Sequence, residues 1–184
     1  MNLFRKLANR TTPIDETALH YIWLSLACGF ASAAARELIS AYHGAGAVYA
    51  EEDFSSRTAL SEPLRKRLSE KDLSDAQEIY KACREKGIGI LTYESDLYPS
   101  RLRTLTNPPA VLYYRRRITN LDCEPCVAVV GTRSVSRYGE EVTDWFGYEL
   151  AKSGAFVVSG LAKGADGIAH RAALRAGGTT VAVL

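Results

Sequence analysis

The sequence predicts an α/β fold, a parallel sheet in the second half of the chain preceded by a small all-α part, on three observations. Apolar runs at 127–130, 155–158 and 180–184 are rich in β-branched residues and too short for helices, so they read as buried parallel strands. Stretches of helical periodicity at 138–153 and 166–176 fill the gaps between them. The first 86 residues hold helical stripes closed by glycines instead.

In chain order, Leu19, Ile22, Trp23 and Leu26 form one helical stripe, which Gly29 interrupts. Residues 32–42 resume as an alanine-rich helix ended by Gly44 and Gly46, giving a helical hairpin. The linking Ala27-Cys28-Gly29-Phe30-Ala31 lacks the G-x-G of a nucleic-acid-binding hairpin, so a packed accessory bundle is expected. Further helices are expected at 63–70 and 75–86. For the second, Ser74 is the expected N-cap, Ala76, Ile79, Tyr80 and Cys83 the apolar face and Gly87 the stop. Residues 87–92 read as a short strand, and the proline-bearing stretch after it as a linker with one edge strand.

In the helix at 138–153, Val142, Trp145, Phe146 and Leu150 recur at helical spacing and are expected to face the sheet, with Gly154 as C-terminal cap. The helix at 166–176 shows Ile168, Ala169, Ala172, Ala173 and Ala176 on one face, small enough for close approach, and ends at Gly177 and Gly178. Three strands joined through two helices make a βαβαβ unit. Right-handed crossovers put both strand-to-helix loops at the carboxyl edge of the sheet, where open α/β sheets bind ligands.

Both loops suit an anion. Gly131-Thr132-Arg133-Ser134 follows its strand directly, and backbone N–H groups with the dipole of the next helix favour negative charge there. Ser159-Gly160-Leu161-Ala162-Lys163-Gly164-Ala165-Asp166 adds two glycines, a hydroxyl and a lysine, with Asp166 placed to cap its helix as a structural acid. Arg133 offers a planar fork to a phosphate and Lys163 a mobile point charge. A solvated surface cation is the plain alternative for each; Arg137, Arg171 and Arg175 read as solvated charges outright. The G-x-G-x-x-G spacing and the acid ending the second strand are both missing, which disfavours a nicotinamide or flavin role.

The composition fits one or two small soluble domains: 184 residues, 47% hydrophobic, 24% charged, formal net charge +2. So slight a basic excess leaves any nucleic-acid affinity to locally concentrated cations. Residues 17–35 carry no formal charge, yet His20, Ser25, Gly29 and Ser32 dilute them and Asp15 and Glu16 precede them, which argues against a membrane span or a cleaved signal. Cys123-Glu-Pro-Cys126 has the spacing of half a zinc site or a redox pair. No second C-x-x-C completes a metal site, and coincidence is the plainer reading; Cys28 and Cys83 read as core residues. His170 lies in the alanine-rich helix with no nucleophile or carboxylate arranged around it by sequence, so it reads as bonded to a neighbouring strand or loop. His20 and His43 are isolated. No catalytic residue, metal or cofactor is expected.

The motifs are long and ordered: Val-Val-Gly-Thr-Arg ending at Arg133, then Tyr138-Gly139, then the run from Val157 through Ser159-Gly160 to Ala169-His170 and Leu174, then Gly177-Gly178-Thr179-Thr180-Val181-Ala182-Val183-Leu184. They closely resemble the DNA-processing protein A family (DprA, or Smf), whose pattern is G-[ST]-R, Y-G, S-G-x-A-x-G-I-D-x-x-A-H and G-G-x-T-[IV]-A-V-L. Ala165 stands where isoleucine is usual. Upstream, Tyr98-Pro99 with Leu102 and Pro108-Pro109 with Leu112-Tyr113 resemble the family's Y-P-x-x-L and P-P-x-x-L-Y elements.

The resemblance implies an extended Rossmann-like domain at 87–184, preceded at 1–86 by a SAM-like or helix-hairpin-helix-like accessory domain. It implies a cytoplasmic protein, with no membrane association, that binds single-stranded DNA and delivers it to a RecA-type recombinase in recombination or natural transformation, without covalent chemistry. Arg133 matches the arginine lining the phosphate pocket. Gly131, Thr132, Ser159 and Gly160 match the pocket's backbone, and Lys163 matches a commonly basic position; Ser134 and Gly164 complete the two loops. The family's Rossmann-like part continues past the equivalent of Leu184, with a further arginine-asparagine-arginine motif and the surfaces for homodimerisation and for the recombinase. The sheet is therefore expected to be incomplete at the C-terminus and DNA binding by this chain to be weaker than that of a full-length relative. An enzyme on a related scaffold, of the nucleotide phosphoribohydrolase kind, is the alternative reading; it would use a P-G-G-x-G-T loop, expected past the equivalent of Leu184, and a catalytic glutamate, and neither appears in the residues present.

Overall fold

The computed structural model describes residues 15–117 and 119–184. The chain divides into two compact units, one reaching to residue 118 and one spanning Thr119–Leu184. The residues before Asp15, which would form the start of a cleaved signal, lie outside the described residues.

The first unit opens with α1 (Glu16–Cys28), started by Asp15, whose carboxylate accepts from the Ala18 N–H at 3.2 Å. Leu19, Ile22 and Trp23 are buried as expected, but Leu26 is 46% exposed. Tyr21 and Leu24 are fully buried beside the stripe, so the core-facing arc of α1 lies to one side of the line through Leu26. α2 (Ala33–Tyr42) is capped by the Ser32 hydroxyl and ended by His43 in the left-handed region at φ 59°. Gly46, expected beyond the helix end, lies inside a further short helix, α3 (Ala45–Ala50).

α4 (Glu62–Glu70) and α5 (Ser74–Glu85) follow. Ser74 is the first residue of α5 rather than its cap. The start is held two residues earlier by Asp72, whose carboxylate accepts from the Ser74 N–H at 2.9 Å and the Ser74 hydroxyl at 3.0 Å. β1 (Ile88–Thr92) pairs antiparallel with β2 (Val111–Arg115) in the register Ile88 to Arg115 and Thr92 to Val111; the short α6 (Ser100–Arg103) lies between them. Ala110 and Val111 are buried in the same core as α1 to α5. Burial of that kind ties the hairpin to the helices, so the first compact unit extends well past residue 86. Tyr98, fully buried, donates its hydroxyl to Pro109 O at 2.7 Å.

The second unit is the expected βαβαβ arrangement and gives the chain its Rossmann-like α/β class: β3 (Cys126–Ala128), α7 (Arg137–Lys152), β4 (Phe156–Ser159), α8 (Ala165–Arg175) and β5 (Thr180–Ala182), with a parallel sheet ordered β3-β4-β5. Strand order follows chain order, so two crossovers of the same hand place α7 and α8 on one face of the sheet. There they pack on each other. A Cβ on Gly147 would lie 3.0 Å from Ala169 O and 3.1 Å from the Ala172 side chain, so the absent side chain lets the helices approach closely. The core beneath is small: Ala151, Val157, Ala169 and Ala173 are buried, with Val129, Leu150 and Ala176 against them. Trp145 and Phe146 do not face it. They are 58% and 48% exposed and meet each other edge to face, ring centroids 4.9 Å apart. Close α7–α8 packing turned the contact face from the bulky residues to Gly147 and Ala151, where only small side chains fit.

Candidate nucleic-acid interface

The two glycine-bearing loops meet at the carboxyl edge of the sheet. Ala165 donates its N–H to Thr132 O at 3.2 Å, joining the start of α8 to the first loop. Gly164, at φ 86°, lies against the carbonyls of that loop: a methyl group there would overlap Thr132 O and come within 2.7 Å of Arg133 O. Gly131, Thr132, Arg133, Gly160, Lys163 and Gly164 are thus gathered into one rim.

The loops differ in what they leave free. Thr132 closes its own turn, its hydroxyl oxygen accepting from the Ser134 N–H at 3.2 Å and donating to Ser134 O at 3.3 Å. The N–H groups of Gly131, Thr132 and Arg133 bond to none of the described residues. Arg133 is exposed and has no hydrogen-bond or ion-pair partner among them. An open run of amides beside a free guanidinium can hold an oxyanion.

In the second loop most groups are engaged internally. Ser159 is buried and donates its hydroxyl to Val129 O at 2.6 Å, pinning β4 to the chain leaving β3. Asp166 is buried too, and its Oδ2 accepts from the Gly160 N–H at 3.1 Å and the Ala162 N–H at 3.4 Å. The acid is structural, as expected, but not as a helix cap. The N-cap position of α8 falls to Gly164, and the carboxylate reaches back to shape the loop. Ser159 and Gly160 therefore hold the geometry of the rim, while the exposed Lys163 supplies the second loop's charge. A carboxylate under Gly160 also opposes an anion there, which moves the favoured phosphate position toward Gly131 to Arg133.

A groove of about 610 Å³ runs from Arg133 between α7 and α8, lined also by Gly164, Ile168, Arg171, Glu140 and Asp144. Arg175 is bonded across it to Asp144 at 2.6 Å, and along α7 Arg137 pairs with Glu141 at 3.3 Å; both are solvated surface pairs. His170 is buried between α8 and β5. The Thr180 hydroxyl donates to Val157 O at 2.7 Å and so accepts from His170 Nδ1–H at 2.6 Å, a lock between helix and sheet. Nε2 of the same ring is buried without a partner among the described residues. Cys123 and Cys126 turn their thiols onto carbonyls of their own turn, Asn120 O at 2.9 Å and Leu121 O at 3.4 Å. The described residues contain no group of side chains able to hold a metal ion. None of their helices is long and apolar enough to cross a membrane.

Comparison with known proteins places these features. The matched segment is 38% identical over 103 residues to the DNA processing protein DprA of Bacillus subtilis (strain 168), covering 56% of this chain and 35% of that protein. It is 39% identical over 95 residues to protein Smf of Escherichia coli (strain K12), covering 52% and 25%. Both alignments span about a third or less of the relative's length. The fold superposes on the X-ray structure of DprA from Streptococcus pneumoniae with a TM-score of 0.64 at 25% identity, over 94% of this chain and 58% of that one. The sequence model of the family described as DNA recombination-mediator protein A matches residues 89–184. With both glycine loops, the His170 lock and the closing Gly177-Gly178 turn inside that match, the chain belongs to the DNA recombination-mediator protein A family.

Proposed function

We propose that this chain is a single-stranded DNA-binding module whose phosphate contacts are the amides of Gly131, Thr132 and Arg133, the Arg133 guanidinium and the Lys163 ammonium. One observation carries the reading: an exposed, unpaired arginine sits beside three consecutive amides that bond to no described residue, at the strand edge where this fold class binds ligands. In a protein of this family, the oxyanion suited to such a cradle is a DNA phosphate. A rim of amides and cations grips a phosphate backbone, and a single strand is flexible enough to follow it while its unpaired bases stay free to stack.

In the cell, DNA held this way is handed to a RecA-type recombinase in recombination and natural transformation, by a cytoplasmic protein that self-associates. No bond-making step is assigned. Titration of short single- and double-stranded oligonucleotides at several ionic strengths tests the proposal. The single strand should bind more tightly, with a log-log salt slope of about 0.7 per phosphate neutralised. Arg133→Ala should reduce both affinity and slope; equal binding by variant and parent would refute the site.

A further inference from the structure

The first unit carries a cation cluster that the loop site does not use. β2 ends in three consecutive exposed arginines, Arg115, Arg116 and Arg117. The end of β2 meets the turn after α5, because Arg115 Nη2 donates to Lys86 O at 3.4 Å, and Arg84 lies two residues before that lysine. The two segments that meet at this end of the hairpin carry five cations, with Glu85 the only acid in them, in a chain whose formal net charge is only +2. Arg116 takes a positive φ of 76°, which ends the strand and lets successive arginines reach solvent instead of alternating across a sheet. Arg116 and Arg117 make no hydrogen bond or ion pair with any described residue. Two residues before Arg115 in β2, Tyr113 is 43% exposed.

We infer that this cluster is a second nucleic-acid contact, a track for the phosphodiester backbone of a single strand. Clustered guanidinium groups repel one another, and a polyanion relieves that repulsion while releasing its own counterions. Planar guanidinium forks suit phosphate oxygens, and the part-exposed Tyr113 of the same strand offers a ring on which a base can stack. The inference rests on the single-strand reading above but uses none of its residues.

The test is a salt series of oligothymidylate titrations with the full chain, its Arg116→Ser/Arg117→Ser and Arg116→Lys/Arg117→Lys forms, and Arg133→Ala. Arg115 is left intact because it holds Lys86 O. The serine form should lose about 1.4 from the log-log slope, two phosphates at about 0.7 each, and the lysine form should retain it. An unchanged slope in the serine form, with Arg133→Ala weakened, overturns this inference and leaves the loop site standing. Weakening in the serine form but not in Arg133→Ala supports the track and sinks the loop site, whereas no binding by the parent chain sinks both. Cluster-dependent binding of polyglutamate tighter than that of oligothymidylate would overturn it in favour of an acidic protein partner.

Discussion

Gly164→Ala places one methyl group where two backbone segments touch, and its consequence is calculable. At φ 86° and ψ −133° the residue occupies a region that L-residues avoid, which costs about 1–3 kcal/mol. The added carbon also overlaps Thr132 O and approaches Arg133 O within 2.7 Å; both are main-chain atoms, so no side chain can swing away. Displacing a packed backbone adds about 1–3 kcal/mol. Taking about 4 kcal/mol as the central value of their sum, local opening of the second unit should become about 700-fold easier, at tenfold per 1.4 kcal/mol. Hydrogen exchange read by mass spectrometry on the peptide containing β4 measures this, with the α1 peptide of the first unit as internal reference. The first loop should also move away from α8, lowering affinity for a single strand. Unchanged β4 protection would refute the idea that Gly164 is the contact joining the two loops, and with it the view of the rim as one site.

Two smaller predictions follow from groups engaged inside the fold. Ser159→Ala should lower stability by about 1 kcal/mol in urea unfolding, the net value of one hydrogen bond, and leave single-strand affinity unchanged, because the hydroxyl is already bonded to Val129 O. A drop in affinity at equal stability would show that Ser159 contacts DNA. Burial raises the Tyr98 hydroxyl to about 12 from its ordinary 10. The unfolded chain then loses that proton first, so stability is fully present below pH 10 and falls as pH rises toward 12. Tyr98→Phe should flatten this part of the pH-stability curve.

Much of the architecture was legible in the residues. The three apolar runs became β3, β4 and β5, and the small-faced stretch before Gly177 became α8, because period and composition are local properties that the chain carries regardless of its neighbours. The motif order through Gly131, Ser159, His170 and Gly177 pointed to the family that the comparison then established. Details that depend on a packing partner were not legible. Trp145 and Phe146 look like core by hydrophobicity, yet the contact face of α7 passed to Gly147, since the approach of α8 admits only small groups. The pairing of β2 with β1 was hidden by the prolines between them, Pro99, Pro108 and Pro109, and with it the helical core's claim on Ala110 and Val111.

At the rim the same division holds. Sequence alone determined which groups are available there: glycines that permit tight loops, an arginine, a lysine, a serine and an aspartate at spacings set by strand and helix. Only the tertiary structure decided how each is used. Hydrogen bonds between segments far apart in the chain took Ser159 and Asp166 inward and left Arg133, with the amides before it, facing water, because a buried polar group must find a partner whereas an exposed one need not.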